Sequence, residues 1–94
     1  MANQAPAQAA GQSVRRTLVP TTQCFVDAGF RSRSAGYEAI AAGLLPQPVH
    51  VGRASVMPSD EVAQVIDARV AGRSNDEIRL LVQQLHQARR EVSK

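Results

Sequence analysis

The residues with the most chemistry to offer lie between Arg31 and Arg53. Arg31, Ser32, Arg33 and Ser34 set two guanidinium groups beside two hydroxyls, and Arg53 stands between Gly52 and Ala54. Guanidinium forks and hydroxyls hydrogen-bond phosphate oxygens and base edges, so the chemistry offered is recognition of a polyanion. Other reactive types are scattered. His50 and His86 fall in different expected elements, and neither has a second metal-type ligand three or four residues away, which argues against zinc. Cys24, the single cysteine, sits in an expected core helix, where a thiol serves as a small hydrophobe. It allows no intramolecular disulfide and fits a reducing compartment. The glycines fall at helix ends and turns, with no phosphate-cradling loop and its Lys. No catalytic residue, metal or cofactor is expected, and the chain reads as a non-enzyme.

Charge placement says more than the net +3. Up to Pro58, five arginines (Arg15, Arg16, Arg31, Arg33, Arg53) face only Asp27 and Glu38, whereas from Ser59 onward six basic and six acidic residues cancel. The excess positive charge therefore belongs to the front half, where the Ser/Arg run also lies.

Positioning these groups requires a sequence of short elements. Ninety-four residues allow one domain with a modest core. Residues 1–17, rich in Ala, Gln and Gly, read as a disordered tail with no targeting segment, and nowhere do 18 apolar residues follow one another. Cytoplasm, without membrane association, is the expectation. Leu18 and Val19 begin the fold. Thr21 or Thr22 offers an N-cap for a helix through Ala28, with Phe25, Val26 and possible companions Cys24 and Ala28 inward, and Gly29 ends it. Ser32 caps a second helix, Arg33 to Ala42, ended at Gly43, with Tyr37, Ile40, Ala41 and Leu44 sharing a face. Gly36 in mid-helix costs about 1 kcal/mol relative to Ala, so it implies a close neighbour, either the first helix or a nucleic-acid backbone.

Pro46 and Pro48 force extended backbone. Val49-His50-Val51 and Ser55-Val56-Met57 then alternate as a hairpin around Gly52-Arg53-Ala54, with Pro58 at an edge-compatible position. Ser59 caps a third helix whose inward face is Val62, Val65, Ile66, Arg69 and Val70, ended by Gly72. Ser74-Asn75-Asp76-Glu77 is a capping box opening a fourth helix to about Val92. Its stripe of Ile78, Leu81, Leu85, Ala88 and Val92, with Val82 beside it, is too short for an isolated coiled coil and must pack on the domain or on another protomer. The expected class is mainly α with a short β-hairpin. Residues 18–72 form a winged helix-turn-helix DNA-binding domain, and residues 73–94 a C-terminal amphipathic helix for packing or self-association.

Gly29-Phe30, Ser32-Arg33-Ser34-Ala35-Gly36-Tyr37, Ile40, Gly43, Leu45-Pro46, Pro48-Val49 and Gly52-Arg53-Ala54-Ser55-Val56 resemble the AlpA family of phage-type regulators and the wider MerR-like winged-helix excisionases. The resemblance covers roughly Leu18 to Val70. It implies that Ser32, Arg33 and Ser34 open a recognition helix, that Tyr37 packs or touches the DNA backbone, and that Arg53 and Ser55 lie in the wing with Arg31 nearby. Two departures stand out. Arg31 is one residue extra before the Ser-Arg-Ser run, and Met57-Pro58 replace a pair that in the family is often Arg and an aromatic. The resemblance implies double-stranded DNA as the partner and a bacterial, nucleoid-associated setting. Two DNA-level roles follow from it: an excisionase, or recombination directionality factor, that bends attachment-site DNA of a mobile element for a tyrosine integrase, and a small transcriptional regulator. The excisionase role is favoured narrowly, with neighbouring copies meeting through Leu81, Leu85, Ala88 and Val92. A protein-interaction adaptor is the reading from a different class.

Overall fold

The computed structural model describes residues 16–92. Seven elements follow in order: β1 (Leu18–Pro20), α1 (Thr21–Asp27), α2 (Arg33–Ala41), β2 (Val49–Val51), β3 (Ala54–Pro58), α3 (Ser59–Val70) and α4 (Asn75–Val92). The chain is mainly helical, with four helices and one three-stranded antiparallel sheet ordered β1-β3-β2. Among the described residues no helix is long and apolar enough to cross a membrane.

The sheet is larger than the expected hairpin because the chain preceding Pro20 is extended, as an X-Pro junction favours, and lays β1 along β3. Leu18 pairs with Pro58 and Pro20 with Val56, so β3 is the central strand rather than an edge. Pro58 is tolerated there as the last residue of its strand. Ser59, expected as an N-cap, is instead the first residue of α3 and makes no cap bond. Its Oγ accepts from the Thr17 amide at 3.0 Å, and its own amide donates to the Thr17 carbonyl at 2.7 Å. Arg16 lies against Asp60 at 3.0 Å. Arg16 and Thr17 therefore belong to the fold, two residues earlier than expected. The rest of the expected tail lies outside the described residues.

One core draws on every helix. Cys24 and Phe25 from α1, Ala39 and Ile40 from α2, Met57 from β3, Val62 and Val65 from α3, and Ile78, Val82 and Leu85 from α4 form a single buried cluster with Leu45. Full burial of a side chain such as Ile78 stabilises by about 1.5–3 kcal/mol. The α4 stripe from Ile78 to Leu85 thus packs on its own domain. Leu85, expected at a self-association surface, is buried in this core, and Leu81 packs against it. Ala88 is exposed, and the side chain of Val92 lies outside what is described.

Inward assignments change on three helices. Val26 is 66% exposed, because burying Cys24 and Phe25 turns the position between their far sides outward on a helix of 3.6 residues per turn. Ala41 and much of Tyr37 are exposed, and Ala39 takes the inward place beside Ile40. On α3 the buried face is Glu61, Val62 and Val65, while Val70 and Arg69 are exposed. Glu61 is an acidic side chain with no exposure at all, and Arg89 of α4 neutralises it with bonds of 2.6 and 3.0 Å. A buried carboxylate survives only when it is so paired.

Candidate nucleic-acid interface

The junction between α1 and α2 is built by local rules. Phe30 donates its amide to the Phe25 carbonyl at 2.9 Å and Gly29 to Val26 at 3.0 Å, a helix ending that needs the left-handed φ of +89° found at Gly29. Phe30 then packs its ring edge-on to Phe25. Ser32 follows in extended geometry and caps α2, its hydroxyl accepting from the Ala35 amide at 3.1 Å. The extra Arg31 therefore does not displace the cap. Arg33 and Ser34 become the first two helical residues, whose amides have no intrahelical acceptor and carry the positive end of the helix dipole.

Thr22, Gln23, Val26, Phe30, Arg31, Ser32 and Arg33 line an open groove at this junction. Thr22, Gln23 and Val26 were not among the sequence candidates. Their signal was available, since placing Cys24 and Phe25 inward leaves positions 22, 23 and 26 on the opposite face of α1. The exposed Val26 methyls beside two guanidinium groups give the groove both apolar and cationic lining.

Gly36 explains itself. A Cβ built there would clash with the Phe25 ring, so the glycine lets α1 and α2 approach, and the close neighbour is the first helix. Tyr37, the next residue, sets its ring edge-on to Phe25 at 5.0 Å and remains 47% exposed. It braces α2 while its outer side faces solvent beside Arg33 and Ser34 on the exposed part of the helix.

The hairpin turns tighter than expected. Val51 pairs with Ala54, leaving Gly52 and Arg53 as a two-residue turn, with Gly52 at φ +59° as such turns require. Arg53 stands exposed at the tip. Ser55 is half-buried, and its hydroxyl lies 2.9 Å from that of the buried Thr21, so it ties the hairpin to α1. Met57 has no exposure, which removes that position from any contact with a ligand.

Pairing separates the arginines into two sets. Arg16, Arg73, Arg79 and Arg89 form ion pairs, Arg69 donates to Asn75, and Arg90 to Gln87. Arg31, Arg33 and Arg53 have no protein partner among the described residues, and all three are exposed.

The segment joining α2 to the hairpin is gripped from α4. Arg79 Nε donates to the Ala42 carbonyl at 2.9 Å, just past the carboxyl end of α2, where a cation is favoured. At the other end the Gln47 amide donates to His86 Nε2 at 3.0 Å, and Arg89 donates to the Gln47 carbonyl at 2.8 Å. An accepting Nε2 fixes His86 as the neutral imidazole protonated on Nδ1. Burial lowers its pKa below 6.5, and the nearby Arg89 and Arg90 push the same way against Glu61. Cys24, also at the α1 core, is pushed upward by burial and by Asp27. Among the described residues no three His, Cys, Asp or Glu side chains gather as a metal site.

Comparison with family models, curated proteins and solved structures gave no match to this chain.

Proposed function

We propose that this protein binds double-stranded DNA sequence-specifically, as a winged helix-turn-helix with α2 as recognition helix and the β2–β3 hairpin as wing. The observation that carries this reading is the split among the arginines: the only ones lacking a protein partner among the described residues are Arg31, Arg33 and Arg53, at the opening of α2 and at the hairpin tip. Arg33 and Ser34, on the first turn of α2, are suited to base edges and phosphates in the major groove, together with the uncapped amides of that turn. Arg31 and Thr22 flank them toward the backbone, and Val26 offers methyls for contact with thymine. Arg53 at the wing tip is suited to a phosphate or the neighbouring minor groove.

Within DNA binding, the narrower proposal is an excisionase of a mobile element, which rests on the family resemblance of the Ser-Arg-Ser, Leu-Pro and Gly-Arg segments. It is tested by adding the protein to an excision reaction with the integrase of the same element. Stimulated excision supports the role, and DNA binding without stimulation replaces it with transcriptional control. The broader proposal is tested by titrating a short arbitrary duplex at several salt concentrations. About four phosphate contacts predict that log affinity falls against log salt with a slope near −3.6, and absence of salt-dependent binding overturns the DNA reading.

A further inference from the structure

The connection from α2 to the hairpin carries its own control. Pro46 and Pro48 lack amide hydrogens, so between residues 46 and 48 Gln47 supplies the only backbone donor. Gln47 is exposed, and water could serve both of its main-chain groups, yet both are taken by α4 side chains: the amide by His86 and the carbonyl by Arg89. Arg89 is in turn locked to the buried Glu61 of α3. Seven residues before His86, on the same face of α4, Arg79 holds the Ala42 carbonyl, with its stem against Gly43. Arg79 to Arg89 covers about 15 Å of helix axis. One face of α4 therefore holds both ends of the 42–47 connection.

We propose that α4 is a positioning strut, in which Arg79, His86 and Arg89 fix the hairpin relative to α2 and thereby set DNA affinity without touching DNA. The effect on DNA rests on the function proposed above, whereas the holding of Gln47 does not. Prolines on both sides of Gln47 leave residues 46–48 little freedom of their own, and the Gln47 peptide group is where α4 grips them by hydrogen bonds. His86 and Arg89 supply that grip, beside the burial of Leu45 and Pro46. A shift of the connection moves Arg53, at the far end of the hairpin, relative to Arg33.

The test uses the full chain with His86→Ala, which removes the acceptor, and His86→Gln, whose side-chain oxygen can accept the same amide. Amide hydrogen exchange reads the strut directly: His86→Ala accelerates exchange at Gln47, and His86→Gln restores protection. Unchanged Gln47 exchange in a folded His86→Ala protein overturns the proposal, whether or not DNA binds. Duplex binding reads the consequence. His86→Ala weakens affinity about 3- to 30-fold, the range for a residue acting on a site it does not touch, and His86→Gln recovers it. In an Arg53→Ala background the same substitution has little further effect, because the hairpin contact it positions is already gone. An equal loss in both backgrounds overturns the assignment of His86 as a positioning residue for the wing. Failure of the wild type to bind any duplex overturns the proposed function instead, while the Gln47 exchange result still decides the strut.

Discussion

The two sets of arginines behave as two different materials. On α3 and α4 the guanidinium groups are consumed by the protein: Arg89 neutralises a fully buried Glu61 and holds a carbonyl, Arg79 finishes α2, and Arg73 and Arg69 tie helix ends. At the opening of α2 and the hairpin tip the same side chain stands exposed with no protein partner. An exposed ion pair contributes only about 0–1 kcal/mol, so pairing by itself says little about stability. What differs is purpose. The paired set, above all the Glu61–Arg89 link, maintains geometry. On the function proposed, the unpaired set keeps its charge available for an anion outside the molecule.

The sharpest way to break this comparison is to remove Arg89. Arg89→Ala leaves the fully buried Glu61 without its counter-charge and should destabilise the fold by about 3–5 kcal/mol, measured by urea unfolding. A loss below 1 kcal/mol would show the pair to be as dispensable as a surface bridge. Gly36→Val should cost about 1–3 kcal/mol, because its branched side chain must displace the Phe25 ring or separate α1 from α2. An unchanged Tm would contradict the packing described. Arg33→Ala should weaken binding of the preferred DNA sequence by about 1–3 kcal/mol and relax base preference, whereas Arg53→Ala should weaken all sequences alike. Both are read from affinities across a panel of single-base variants.

A smaller effect is expected from His86. Its pKa is depressed in the folded state, so below about 6.5 the unfolded chain takes up the proton more readily than the native one. Stability should therefore be level above pH 6.5 and decline as the pH falls toward 5, with a shallower decline in His86→Gln. The smallest effect belongs to the unpaired set: alanine at Arg31, Arg33 or Arg53 should each shift folding stability by no more than about 0.5 kcal/mol. A larger shift would mean that these arginines serve the fold after all.

Much of this arrangement was legible in the sequence, because it is made by contacts a few residues apart. Ser32 capping Ala35, the reciprocal Ser74–Glu77 box and the left-handed glycines at positions 29, 43, 52 and 72 follow from side-chain chemistry within one turn of chain. Gly36 announced a close approach, and its partner proved to be Phe25. What escaped depends on distant chain. β1 has three residues and no period, and it exists because β3 offers it a free edge. Glu61 in the first turn of α3 is absent from the inward face that the sequence suggests, and only Arg89, 28 residues later, compensates its burial. The sequence suggests Ser59 as a cap and Ser55 as a wing residue, yet Thr17 and Thr21 claim their oxygens. The grip of α4 on Gln47 was equally invisible, since it joins residues 39 and 42 positions apart.

The central claim is that the unpaired arginines are the ones that meet phosphate. It is tested most directly by comparing the salt dependence of duplex binding for the wild type and for a protein with Arg31, Arg33 and Arg53 all changed to Ala. Loss of the two or three phosphate contacts these arginines make, Arg33 dividing between base and phosphate, should flatten the log–log slope by about 1.8 to 2.7, with folding stability nearly unchanged. A triple variant that keeps the wild-type slope and affinity would contradict the account.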